Sequence, residues 1–260
     1  MKNVLITMTV LIALVWWSAP VKAEIMAAGS DSTIELVKQL VAGFEAETGV
    51  KIAITGGGSS VGAKSCLEGK CDLAFLSRDL KEEEVKAGLV AAPYAIDGVA
   101  VIVNKNNPVE NVTLEDLQKL FTGETATWPD GKAVLLFNRN ESSGTRECFE
   151  HVVMKKKAFS PKAQIKHDAV LYESIAKIVT SVGYTSACHA SEDLKVVKVN
   201  NVIPNADSLA DGSYPICRTL NFATKGAAQG DAKAFIEYVL GDKGKEIIRK
   251  AGYVPHVKKD

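Results

Sequence analysis

Residues 138–146 read Asn138-Arg139-Asn140-Glu141-Ser142-Ser143-Gly144-Thr145-Arg146. They lie between an apolar run at 133–137 and a helix-like stretch beginning near Glu147. That order is strand, polar turn, helix. Such a turn leaves the first N–H groups of the helix unpaired with the positive end of the helix dipole behind them, which makes it a ready anion site. Ser142, Ser143 and Thr145 add hydroxyl donors, and Arg139 and Arg146 flank them with planar, permanently charged forks that hold two oxygens of one oxyanion at once. Taken alone, the stretch is equally an ordinary capped helix start with solvated arginines.

The same arrangement recurs along the chain. Gly56-Gly57-Gly58-Ser59-Ser60-Val61-Gly62 follows an alternating run at 50–54, Ser77-Arg78 follows an apolar run at 73–76, and Gly29-Ser30-Asp31-Ser32-Thr33 opens a strongly periodic helix. The chain has five arginines against 26 lysines, and Arg78, Arg139 and Arg146 all stand beside these turns. That bias favours bidentate geometry over bulk charge. Several donor turns imply one shared ligand.

At the N-terminus, Lys2 precedes a 14-residue apolar stretch at 4–17, and Val21-Lys22-Ala23 supplies signal-peptidase spacing. Residues 1–23 are therefore expected to be a removed signal peptide, cut after Ala23, which sends the chain to the periplasm. Fourteen residues fall short of the roughly 20 that span a bilayer. No cysteine lies near the cut, so no lipid is expected. Removal takes two lysines and no acid, moving the formal charge from 31 − 31 = 0 to 29 − 31 = −2. Nucleic acid is excluded as a natural partner on that balance.

Five cysteines allow at most two bridges and leave one over; Cys66 with Cys71 around Gly69 and Cys188 with Cys217 are candidate pairs, Cys148 lies in an expected helix, and the sequence leaves the pairing open. The four histidines are scattered and no Cys-x-x-Cys occurs, so neither a metal nor a cofactor is expected.

In chain order, Ile34, Val37, Leu40, Val41 and Phe44 share one helical face, and Ser32 with Glu35 reads as a capping box at its start. Strands are expected at 51–55, 72–76, 90–94 and 98–104, with helices or turns between them. This is the alternation of a mainly parallel, helix-covered sheet, in which ligands lie at the carboxyl ends of strands. Composition changes after Asn104, and Thr113 with Asp116 caps a further helix. The expected division is a first lobe at 24–104, a second at 105–199, and a return to the first at 200–260 through a crossing strand at 216–224. The lysine run at 155–157 reads as solvated surface.

Together these residues resemble the periplasmic phosphate-binding proteins that feed ABC importers. The likeness covers nearly all of the mature chain: Gly29-Ser30, Gly56 to Ser59 with Val61-Gly62, Ser77-Arg78, Asp97-Gly98, Arg139 with Ser143-Gly144-Thr145-Arg146, Val182-Gly183-Tyr184 and Tyr214-Pro215. The resemblance implies an α/β, two-lobed periplasmic-binding-protein fold of type II with crossing strands as hinge. It implies a monomer that holds inorganic phosphate and meets an ABC permease in the inner membrane. Carried onto this chain, the ligand set is Ser30, Asp31, Ser32, Ser59, Ser60, Ser77, Arg78, Asp97, Arg139, Ser143, Gly144 and Thr145. Three features depart from the family pattern: Asp31 stands where a hydroxyl is usual, Ser60 replaces a usual glycine, and the segment 159–180 looks shortened.

Other readings compete. Sulfate, molybdate or another tetrahedral oxyanion is an alternative ligand, and a sensor an alternative partner. Gly58-Ser59-Ser60-Val61-Gly62 also fits the Gly-x-Ser-x-Gly elbow of a serine hydrolase with Ser60 as nucleophile, although no histidine is marked out as its base. The reading carried forward is a receptor that performs no chemistry. Asp97 reads either as a turn residue before Gly98 or as an acceptor for the proton that phosphate keeps near neutral pH and sulfate lacks.

Overall fold

The computed structural model describes residues 24–189 and 193–257, so the expected signal segment and its cleavage point lie outside the described residues. The strands are β1 (Ile25–Gly29), β2 (Ile52–Thr55), β3 (Leu73–Leu76), β4 (Leu89–Asn104), β5 (Asn111–Val112), β6 (Leu135–Arg139), β7 (Gln164–Lys166), β8 (Ser181–Ser186), β9 (Leu194–Val199), β10 (Cys217–Lys225) and β11 (Val254–Pro255). The helices are α1 (Ile34–Thr48), α2 (Ser59–Leu67), α3 (Glu82–Lys86), α4 (Leu114–Thr122), α5 (Gly144–Phe149), α6 (Asp168–Lys177), α7 (Ala206–Ala210), α8 (Gly230–Leu240) and α9 (Asp242–Lys250).

The sheet runs β2-β1-β3-β10-β4-β8-β6-β7. Each wing is parallel, β1 beside β2 and β3, and β6 beside β7 and β8, because the intervening chain crosses over through helices. The centre is antiparallel: β10 lies between β3 and β4, and β4 continues against β8 and β9. The carboxyl ends of β1, β3 and β6 run into the serine-bearing turns.

β4 is a single 16-residue strand, where two pieces broken at Asp97-Gly98 were expected. Its first half is paired by β10 as far as Gly98 and its second half by β8 and β9 from Val99. Backbone bonds thus continue through the glycine, and Asp97 is a mid-strand residue rather than part of a turn.

Two cores flank this point. In the first, Leu36, Val37, Leu40, Val41 and Phe44 of α1 pack with Phe75, Phe222 and Phe235. The second gathers Phe121, Phe149 and Tyr184 around Val99, Val101 and Val103 of β4. Each large apolar side chain so buried stabilises by about 1.5–3 kcal/mol.

Local signals mostly act as read. Thr113 caps α4 in a reciprocal box, accepting from the Asp116 N–H at 3.0 Å while Asp116 accepts from the Thr113 N–H at 2.9 Å. The box expected at Ser32 does not form. α1 starts at Ile34 after Thr33 with no side-chain cap, Glu35 pairs with Lys38 at 2.7 Å, and the Ser32 hydroxyl turns toward other serines. The helix expected near Glu147 begins at Gly144 and continues as a π-helix, Glu150–Met154.

All five cysteines are thiols. In place of the candidate Cys188–Cys217 link each has its own partner, Ser186 Oγ at 3.0 Å for Cys188 and the Tyr214 carbonyl at 2.9 Å for Cys217.

Candidate functional site

Four of the expected serines converge on the first-core side. Ser30 follows β1, its N–H donating to the Phe75 carbonyl at 2.9 Å, and Ser32 stands on the 3-10 turn Asp31–Thr33. Their hydroxyls bond each other at 2.9 Å, Ser77 at the end of β3 bonds both, and the Ser32 contact measures 3.0 Å. Ser59, at the first position of α2, accepts the Ser77 N–H at 3.0 Å. All four are at most 2% exposed.

The 138–146 turn closes on this cluster from the other side. Gly58 lies in the left-handed region at φ 102, and a Cβ there would fall 2.4 Å from the Ser142 carbonyl oxygen. A Cβ on Gly144 would fall 2.3 Å from Ser59 Oγ. The two glycines let the two turns touch. That approach brings Thr145, fully buried, to donate to Ser32 Oγ at 3.1 Å. Ser143 caps α5 by accepting the Arg146 N–H at 3.2 Å.

The cation at this cluster is one the sequence reading passed over. Arg218 of β10 donates from Nη1 to Thr145 Oγ1 at 2.6 Å and from Nη2 to Ser32 Oγ at 3.3 Å. Its Nε and Nη2 also hold Asp97 Oδ2 at 2.9 and 2.6 Å, while Ser186 donates to Asp97 Oδ1 at 2.9 Å. Burial opposes the charge on Arg218, but Asp97 outweighs that and holds the guanidinium above its usual value. A signal was present: Arg218 interrupts an otherwise mostly apolar crossing strand, and a charge in such a strand needs a partner.

Other expected residues sit elsewhere. Arg78 was expected to grip an anion, but its fork is taken by Glu84 at 2.7 and 2.8 Å and its Nε by Glu147 at 2.5 Å. Ser60 points the same way, donating to Glu147 at 2.6 Å and accepting from Arg78 at 3.3 Å. A nucleophilic serine wants a histidine in that place. The Asp31 carboxylate accepts the Gly57 N–H at 2.7 Å, which ties the first donor turn to the second. Arg139 ends β6, buried at 2% exposure beside Tyr184. Arg146 clamps its own turn, bonding the Arg139 carbonyl at 3.1 Å and Glu150 at 2.8 Å over the Phe159 ring.

Hydroxyls rotate about their C–O bonds, each with one proton to donate. Ser30, Ser32, Ser59, Ser77 and Thr145, now bonded among themselves or to backbone, are therefore able to turn together toward one small oxyanion. Arg218 balanced by Asp97 adds directional N–H groups with little net charge. Among the described residues no cluster of His, Cys, Asp and Glu is arranged to hold a metal ion, and no helix is long and apolar enough to cross a membrane.

The PBP superfamily domain model matches residues 17–243. The phosphate-binding protein PstS of Bacillus subtilis is 31% identical over 215 residues, covering 78% of this chain and 71% of that protein. The protein of the same name from Pseudomonas aeruginosa is 26% identical, covering 90% and 84%. A phosphate ABC transporter substrate-binding protein from Clostridium perfringens, solved with bound phosphate, superposes with a TM-score of 0.87 at 28% identity, covering 90% of this chain and all of that one. An ABC-type phosphate transport receptor from Vibrio cholerae gives 0.78 at 26% identity, with the same coverage. The fold and the breadth of these matches agree, and the chain belongs to the PBP superfamily, in the family of the phosphate-binding proteins.

Proposed function

We propose that this protein is an exported receptor that binds inorganic phosphate between two lobes and delivers it to an ABC-type permease in the inner membrane. The observation that carries the reading is the buried meeting of Ser30, Ser32, Ser59 and Ser77 with Thr145 and Arg218, supplied from both sides of the β4–β10 crossing. The ligand set is these residues with Arg139, Ser143 and Gly144. Asp97 acts beside Arg218, and Asp31, Ser60 and Arg78 support the turns from behind. The protein works as a monomer and performs no chemistry. Binding closes the lobes, and the closed face is what the permease recognises, so affinity has to exceed the cost of closure and still permit release.

Calorimetric titration with phosphate and sulfate at neutral pH and matched ionic strength tests the ligand. Phosphate is expected to bind at least tenfold more tightly, a difference of about 1.4 kcal/mol. Equal binding, or binding of neither anion, overturns the assignment. Intact-mass measurement of exported protein tests the leader: a chain starting at Glu24 without an acyl group is expected, and retention of residues 1–23 contradicts export by cleavage.

A further inference from the structure

α2 ends in a Schellman turn that serves none of the contacts above. Gly69 is left-handed at φ 70, its N–H bonds the Cys66 carbonyl at 3.1 Å, and the Lys70 N–H bonds the Ser65 carbonyl at 2.8 Å. The turn folds the chain back on its own helix. Cys71 therefore lands against α2, its Sγ 3.9 Å from the Gly62 carbonyl one turn before Cys66. Cys66 Sγ lies 3.7 Å from the Ala223 carbonyl of β10, and the two thiols are neighbours. Both pack among Ala63, Ala74, Leu76 and Ala223. Both also line one cavity of about 380 Å³, with Gly69, Asp72, Thr224 and Lys225, where Cys66 is 1% and Cys71 8% exposed.

We propose that Cys66 and Cys71 form a redox pair, closing to a disulfide when the chain meets a disulfide-bearing oxidant and clamping the end of α2 to the start of β3. Cys66 as thiolate attacks one sulfur of the oxidant's disulfide, forming a mixed disulfide and releasing one oxidant thiolate. Cys71 then gives up its proton and attacks the Cys66 sulfur, and the second oxidant thiolate leaves. Two protein thiols are oxidised, one oxidant disulfide is reduced to two thiols, and the cysteine protons pass to the leaving thiolates. The neighbouring Cys71 thiol lowers Cys66 to about 7, against burial and the nearby Asp72 carboxylate, and this marks Cys66 as the attacking sulfur. The same contact with Cys66, together with burial, raises Cys71, which serves as the resolving thiol. The clamp bears on the site, because α2 begins at Ser59 and β3 runs into Ser77.

Incubation of the purified chain with oxidised glutathione, followed by unfolding, alkylation and tryptic mapping, decides it. Of the five cysteines, three are expected to be alkylated before reduction and all five after it. The peptides holding Cys66 and Cys71, cut apart after Lys70, are expected to stay linked. Alkylation of all five before reduction overturns the proposal, as does a bridge to Cys148, Cys188 or Cys217 or a stable glutathione adduct on Cys66. Oxidised wild type is expected to melt about 5 °C above reduced wild type. The Cys66→Ser/Cys71→Ser variant is expected to show no such shift, and equal melting of the two wild-type forms excludes a clamp.

Discussion

Arg218 on β10 and Asp97 on β4 stand directly opposite one another in the antiparallel pairing, and two guanidinium nitrogens of Arg218 hold one carboxylate oxygen of Asp97 at 2.6 and 2.9 Å. Both side chains are only 2% exposed. The strands that join the two cores are thus bound to each other by a buried charge pair that also reaches Thr145 and Ser32.

Removing one member of this pair leaves the other charged and buried. Arg218→Ala is expected to destabilise the protein by about 3–5 kcal/mol. Arg218→Ala with Asp97→Ala is expected to cost less than the sum of the single changes, since no lone charge remains. Urea unfolding of wild type, both single variants and the double variant measures the coupling. Additive losses would show that the two charges do not depend on each other.

A carboxylate offers about four lone-pair positions, and Asp97 accepts two bonds from Arg218 and one from Ser186. In the proposed binding mode the position left on Oδ1 takes the proton of phosphate, whereas sulfate would meet only repulsion there. Asp97→Asn is expected to narrow the phosphate-to-sulfate preference, chiefly by relieving the penalty on sulfate. Titration of both anions into both proteins reads the ratio directly, and an unchanged ratio removes Asp97 from selectivity.

Gly144 admits no side chain, because a Cβ would fall 2.3 Å from Ser59 Oγ and 3.2 Å from the Ser77 carbonyl carbon. Gly144→Ala is expected to hold the two turns apart and weaken phosphate binding about tenfold or more, from overpacking of about 1–3 kcal/mol. Calorimetry gives the affinity, and thermal melting separates it from loss of fold. Native affinity in a folded variant would mean that the turns need not touch.

Acid should weaken the Arg78 network. Burial works to raise the Glu84 carboxyl, but its bonds from Arg78 and the Lys81 N–H outweigh that and hold it below its ordinary value of 4.5. A carboxyl lowered on folding adds stability that is complete above its unfolded value and is lost as pH falls through its folded one. Wild type is therefore expected to lose stability progressively below about pH 4.5, and Glu84→Gln, already weaker at neutral pH, to decline less steeply. Parallel slopes for the two proteins in melts across that range would exclude Glu84 as a contributor.

The donor turns were legible in the sequence because their chemistry is local. Glycine followed by serine after an apolar run specifies a strand, a tight turn and a helix start within a dozen residues. Ser30, Ser32, Ser59, Ser77 and Thr145 stand in such polar turns, the family resemblance names them as ligands, and the structure brings them together. The alternation of strands and helices gave the α/β class for the same reason.

Where each side chain points was decided by the tertiary structure alone. Ser32 had a plausible cap partner three residues away, yet its hydroxyl bonds Ser77, Thr145 and Arg218, up to 186 residues distant. Arg78 was placed correctly beside its turn, but Glu84 and Glu147 claim its fork. Of the two readings of Asp97, turn residue before Gly98 or acceptor facing the anion, the turn falls because strand pairing carries β4 straight through Gly98. The Arg218–Asp97 pair joins residues 121 apart and depends on the register of β10 against β4. Register is set by the packing of whole strand faces, and a shift of one residue would send Arg218 to the opposite face of the sheet, away from Asp97.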